Sequence, residues 1–211
     1  MSKSLLNGLI WRRAVKHFGK ATASTPKLDV NPVLEAIHLA PSSFGITPYQ
    51  VHCVTAAQSP KLLKDVAKHC FDNEDKVANC DALLAFAART DAAPTLQDFY
   101  DAHRADGTEL EPAYEKTIFG FLGHLDEDAF YNWAALQTMV GLGVGLAAAA
   151  DAKIASCPMQ GFDPVGVHGA LGLPSNQRMV VLMAMGHESD IPEEFAKWRF
   201  PQDRVLLQRK D

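Results

Sequence analysis

The sequence predicts an α+β domain, a small central sheet flanked by helices. Three observations predict it. Residues 134–150 run for 17 positions without a charge, with Gln137 and Thr138 as the only polar side chains, and their Ala, Leu, Met and Gln favour helix. Four short apolar runs, 50–55, 82–88, 153–158 and 179–185, have the length of strands. Between them, Asn31-Pro32, Ser59-Pro60 and Asp163-Pro164 each place a capping side chain before a proline, the signature of a helix start.

The run 134–150 organises the rest. As a helix it spans about 25 Å at about 1.5 Å per residue. A helix apolar all round is buried all round. A membrane span needs about 20 apolar residues, and this run stops at Asp151. Gly141, Gly143, Gly145 and Ala147–Ala150 are too small to fill a core but let a second backbone approach. That backbone is either the chain's own or the same helix of a second subunit. The glycines sit mid-helix, not in a turn after a strand, so they are no dinucleotide fingerprint.

Composition narrows the class. The 211 residues suit one domain, 1–211, with a helical excursion at about 91–130, and 47% hydrophobic residues supply a core. A net charge of -5 argues against nucleic-acid and anionic-membrane partners. The N-terminus lacks the apolar run and cleavage site of a signal peptide, so the chain is expected in the cytoplasm. Cys53, Cys70, Cys80 and Cys157 show no C-x-x-C spacing and are expected as free, buried thiols. The eight histidines show no metal-ligand spacing, so no metal is expected.

In chain order, residues 2–10 read as a short helix. In residues 11–18, Arg12, Arg13 and Lys16 alternate with Trp11, Val15 and Phe18. The apolar residues anchor the segment and hold its cations, which suits a phosphate-bearing ligand as well as a solvated face. A helix follows Asn31, its expected N-cap, and ends at Pro41. The stretch Pro41–Tyr49 carries two prolines, a glycine and two serines and reads as a fixed loop. After strand 50–55 and the helix 59–69 comes a polar stretch, 71–79. Two helices, about 95–105 and 111–124, are expected outside the sheet, in a region rich in aromatics such as Phe119 and Phe121. Asp163 caps a helix that Gly172 stops. The apolar triplet Val205–Leu207 closes the tail like a strand seeking a sheet edge, its own or a second chain's.

Five of these stretches, in this order, resemble the flavin-dependent nitroreductase family over nearly the whole chain. Arg12-Arg13-Ala14-Val15-Lys16 is similar to the family's R-x-S-x-[KR] element, Pro41-Ser42-Ser43 with Pro48-Tyr49 to its P-S-S-x-N-x-Q-P-W loop, and Asn73 with Lys76 to N-x-x-K. Pro158-Met159-Gln160-Gly161-Phe162 is similar to P-x-E-G-[FY], and Lys197-Trp198-Arg199 to the closing K-x-R. Ala14 stands where Ser is usual, Gly45 and Thr47 replace Asn and Gln, Tyr49 replaces Trp, and Phe44 takes a position often held by a smaller polar residue.

The resemblance implies a central mixed antiparallel sheet in an intertwined homodimer with an exchanged C-terminal strand and two FMN sites at its interface. Arg12, Arg13, Lys197 and Arg199 would hold the FMN phosphate, with Ala14 contributing backbone. Lys16, Asn73 and Lys76 would line the pyrimidine edge of the flavin. Met159, Gln160 and Gly161 would face its N5, and Pro41, Ser42 and Ser43 would come from the partner. Ser43, Phe44, Phe119 and Phe121 would meet the substrate. The implied activity is ping-pong reduction of nitroaromatics, quinones or similar small electron-poor acceptors by NAD(P)H, with no catalytic side chain beyond the flavin that Lys16 and Lys76 tune. A non-catalytic flavin storage or sensor protein, and a plain dimeric interaction module, are the other classes.

Overall fold

The computed structural model describes residues 3–19, 27–189 and 196–209. Strands β1 (Tyr49–Thr55), β2 (Ala82–Arg89), β3 (Ala155–Met159) and β4 (Gln177–Gly186) form one sheet in the order β1-β2-β4-β3. Each neighbouring pair is antiparallel. The parallel component of the expected mixed sheet is one isolated bridge, Ala14 to Ser156, beside β3. β2 lies inside the sheet and is buried along seven of its eight residues, as an apolar run without alternation demands.

Alternation along β2 and β4 divides the core in two. Leu83, Ala85, Leu182 and Ala184 face one cluster, with Val15, Leu63 and Val66. Leu84, Phe86, Val181 and Met183 face the other, with Val33, Ile37 and Leu142. Each such large side chain taken fully from water contributes about 1.5–3 kcal/mol. Helices α1 (Lys3–Trp11) and α2 (Asn31–His38) precede the sheet. Helices α3 (Pro60–Ala67) and α4 (Glu74–Asn79) lie between β1 and β2, and α5 (Ala92–Ala105), α6 (Pro112–Leu122) and α7 (Glu127–Asp151) between β2 and β3. Helix α8 (Pro164–Leu171) leads into β4. The expected excursion is α5 and α6. They build a third small core, with Leu96, Tyr100, Ile118 and Leu122 around Phe130 of α7 and Ile46 of the loop before β1.

Several expectations are corrected. Asn31 is the first helical residue of α2 and not its cap. Val30 holds the N-cap position, and the Asp29 carboxylate accepts the Asn31 N–H at 3.0 Å. The polar stretch 71–79 is a 3-10 turn followed by α4. The central helix starts at Glu127, seven residues before the uncharged run, because Asp126 caps it by accepting the Ala129 N–H at 2.8 Å. The acids Glu127 and Asp128 suit its positive end. At 25 residues α7 is long and apolar enough to span a bilayer, yet it packs on β2 with α1 and α2 against it. Its burial is one-sided: Leu136, Met139, Val140 and Gly143, spaced as one helical face, are exposed. Cys53 is exposed on β1, whereas Cys70, Cys80 and Cys157 are buried. Burial pushes the Cys70 and Cys80 thiols up to about 12, so neither supplies a thiolate near neutrality. Residues 205–207 form no strand with this chain and are exposed. Residues 190–195 of the tail lie outside the described residues.

Candidate cofactor and substrate site

The end of α1 and the residues after it make the first group of the candidate site. The backbone beyond Trp11 runs beside β3, where Val15 N–H donates to the Ser156 carbonyl at 3.2 Å. Val15 and Phe18 are buried, so the apolar half of the segment fixes the cationic half. Arg12, Lys197 and Arg199 meet with Leu9 and Ile10 around an open depression of about 490 Å3. Lys197 Nζ donates to the carbonyls of Leu9, Ile10 and Arg12. It thereby satisfies carbonyls that the C-terminus of a helix leaves unpaired and ties the tail to α1.

Among the described residues this trio has no counter-charge. Burial lowers the Arg12 pKa, and the Arg199 charge lowers it further. Burial likewise lowers Lys197, followed by the charges of Arg199 and Arg12. Among the described residues no carboxylate pairs with any of the three. Arg12 Nε is buried with no hydrogen-bond partner. A dianion such as a phosphate monoester fits this donor set, supplying the missing acceptor and offsetting the repulsion. Arg13 points elsewhere, to Glu188 at 3.3 Å. Ala14 forms the bridge to Ser156, and Lys16 is exposed just beyond it.

The second group forms where β3 ends. Met159 is buried in the sheet, and Gln160 and Gly161 emerge exposed. Asn73 Nδ2 donates to the Gly161 carbonyl at 2.8 Å, joining two stretches 88 residues apart. A Cβ on Gly161 would stand 2.9 Å from that nitrogen, so a side chain there would push the Asn73 amide aside. Lys76 lies one turn on and donates to the Asp72 carbonyl at 3.0 Å, not to its acidic neighbours' carboxylates.

The third group sits at the other edge of the sheet, in the loop feeding β1. Ser42 Oγ accepts the Thr47 N–H at 2.8 Å, and the Gln137 side chain of α7 accepts the Ser43 N–H at 2.9 Å. Sequence reasoning did not find Gln137 as part of the site. Its signal was there, an amide in an otherwise apolar helix, beside a Thr138 that merely bonds its own helix at Ala134. Phe44 adopts φ 58°, uncommon for a bulky residue. Its ring meets Tyr114 and Phe121 edge-on at 6.2 and 6.0 Å. Phe119 is exposed and meets His124 edge-on at 5.6 Å instead.

One chain therefore brings Arg12, Lys197 and Arg199 together, and Asn73 with Gly161, but leaves Pro41–Phe44 across the sheet. Three strand spacings separate β1 from β3, about 14 Å.

A model of the nitroreductase family matches residues 9–187. A Thermus thermophilus protein named NADH dehydrogenase is 27% identical, covering 94% of this chain and 92% of its own. A presumptive NAD(P)H nitroreductase of Staphylococcus saprophyticus is 26% identical, covering 98% and 97%. A presumptive nitroreductase from Exiguobacterium sibiricum, solved in complex with FMN, has a TM-score of 0.76 at 17% identity and covers 97% of each chain. At that identity the likeness is one of fold.

Proposed function

This chain belongs to the nitroreductase family, and from that premise we propose that it is an FMN-dependent oxidoreductase. It uses NAD(P)H to reduce nitroaromatics, quinones or similar electron-poor acceptors. The observation that carries the reading is the uncompensated trio Arg12, Lys197 and Arg199, with Arg12 Nε buried and unpartnered. The family match and the FMN in a protein of the same fold support it.

When bound, FMN supplies the redox chemistry, accepting hydride from NAD(P)H and passing electrons to the acceptor. The chain's residues bind and orient. Arg12 and Arg199 present guanidinium forks to the phosphate. Lys197 adds charge there while its ammonium holds the tail on α1. Lys16, Asn73 and Lys76 line the pyrimidine edge, where fixed cations stabilise negative charge. Asn73 also pins the Gly161 carbonyl, which fixes the Gln160–Gly161 backbone on the N5 side.

Two copies of the chain complete each site. The separation of Pro41–Phe44 from Arg12 across the sheet supports this, as do the exposed α7 face and the exposed tail triplet Val205–Leu207. Protein purified without added cofactor should be yellow and release FMN on denaturation. It should oxidise NADH or NADPH steadily with a quinone, in parallel-line double-reciprocal plots. Colourless protein that also fails to take up FMN refutes the reading, and bound FMN without turnover leaves a storage or sensor protein.

A further inference from the structure

We propose that Lys197 is a positioning residue and not a ligand of the phosphate: its ammonium docks the tail on α1 and so delivers Arg199 to the anion. The inference rests on the reading of the depression at Arg12, Lys197 and Arg199 as a phosphate site. It deepens that reading by dividing the three cations between two tasks.

The division follows from counting donors. A lysine ammonium has three N–H donors. Lys197 Nζ donates to the carbonyls of Leu9, Ile10 and Arg12, so all three are spent. Its charge reaches a bound phosphate, but it can form a hydrogen bond there only by giving up a carbonyl. The guanidiniums differ. Arg12 Nε is buried with no partner. Arg199 spends one of its five donors, from Nη1 to the Trp198 carbonyl at 2.6 Å. Both forks therefore keep donors for phosphate oxygens, and the ammonium does not.

The three carbonyls also account for a lysine at this position. Leu9 and Ile10 lie in the last turn of α1, whose carbonyls have no partner within the helix, and a cation is favoured at that end. Three carbonyls converging on one nitrogen suit a compact ammonium with three rotatable donors. No nitrogen of a planar guanidinium carries three.

Docking at this point decides where Arg199 lies. Residues 196–209 are exposed throughout. Among the described residues, no other hydrogen bond and no ion pair joins them to the rest of the chain. Arg199, two residues beyond Lys197, is brought to Arg12 against like-charge repulsion, which adds to burial in lowering the Arg12 pKa. The three bonds to α1 offset that repulsion before an anion arrives.

The test titrates FMN and riboflavin by fluorescence into wild type, Lys197→Arg, Arg199→Met and the double variant. Lys197→Arg keeps the charge but cannot make the three bonds. It should weaken FMN binding about tenfold, the scale of one lost charge-assisted bond, as Arg199→Met should. The double variant should bind FMN within about twofold of Arg199→Met, because residues that act as one unit are not additive. Riboflavin should bind all four proteins alike. Without flavin, chymotrypsin should cut after Phe200 several-fold faster in Lys197→Arg than in wild type or Arg199→Met, as read from fragment masses. Wild-type FMN affinity in Lys197→Arg, or losses that add in the double variant, overturn the inference and leave the proposed function standing. A Lys197→Arg tail cut at the wild-type rate removes the docking and overturns it too. So does an equal loss of riboflavin in Lys197→Arg, which would mean a role in the fold alone. Wild-type protein that binds no FMN overturns both.

Discussion

In the proposed phosphate site Arg12 carries the plainest signal. Its guanidinium is pressed by burial and by Arg199, with Nε unpartnered. A charge-assisted hydrogen bond contributes about 1.5–3 kcal/mol, so Arg12→Met should weaken FMN binding by about tenfold to a hundredfold. Riboflavin, which lacks the phosphate, should bind both proteins alike, and fluorescence titration distinguishes the cases. Equal losses for both flavins would mean that Arg12 supports the fold and not the phosphate. Lys76→Met should keep FMN but lower its midpoint potential by about 30 mV or more, since each 1.4 kcal/mol of lost charge stabilisation is about 30 mV. A spectroelectrochemical titration reads this, and an unchanged potential removes Lys76 from the flavin edge. Tyr49 offers a stability test. Its hydroxyl is buried against Gly141 with no partner, and an unsatisfied buried group costs about 1–3 kcal/mol. Tyr49→Phe should therefore raise the urea midpoint. A loss of stability would reveal a bridging partner for the hydroxyl. The sequence made Arg12 visible as a cation between anchored aromatics, but the pairing of Arg13 with Glu188 depends on how two chain ends meet and leaves no local trace.

At the scale of elements, α7 separates what a helix does for its own chain from what it offers a second. A Cβ on Gly141 would lie 2.5 Å from the Tyr49 hydroxyl, and one on Gly145 2.8 Å from Ile37 Cγ1. A Cβ on Gly143 would meet nothing within 4 Å. Gly141→Ala and Gly145→Ala should each destabilise the folded chain, overpacking typically costing about 1–3 kcal/mol. Gly143→Leu should leave the fold intact and break subunit association, together with FMN retention. Thermal melts beside light scattering separate the two outcomes, and a Gly143→Leu dimer with full flavin content would place the interface elsewhere. Most elements were legible because their signals are local: prolines after caps, the buried run of β2, and Asp163 and Gly172 bracketing α8. The start of α7 was not, since Glu127 and Asp128 look like loop residues until Asp126 is seen capping them. Nor was the α2 cap, where Asp29 serves in place of Asn31. The tail triplet reads as a strand but pairs with nothing among the described residues, because period alone cannot name the edge that completes it.

The whole molecule sets the cluster of Arg12, Lys197 and Arg199 and the Phe44 loop at opposite margins of the sheet. Within one copy three strand spacings, about 14 Å, separate the two edges. Damage to one margin and damage to the other should therefore be separable between subunits. Protein carrying only Arg12→Met and protein carrying only loop damage, such as Ser43→Pro, should each turn over poorly as homodimers. Dissociated and reassociated as a mixture, half of the dimers are mixed by chance. In each mixed dimer one site draws both its halves from undamaged margins and the other draws neither. Complementation should restore about a quarter of the wild-type activity, since half of the dimers would carry one sound site of two. Activity that stays at the level of the separate mutants would mean that each subunit builds its site alone. The geometry of a four-stranded sheet would thus be read out genetically, as alleles that rescue each other in trans.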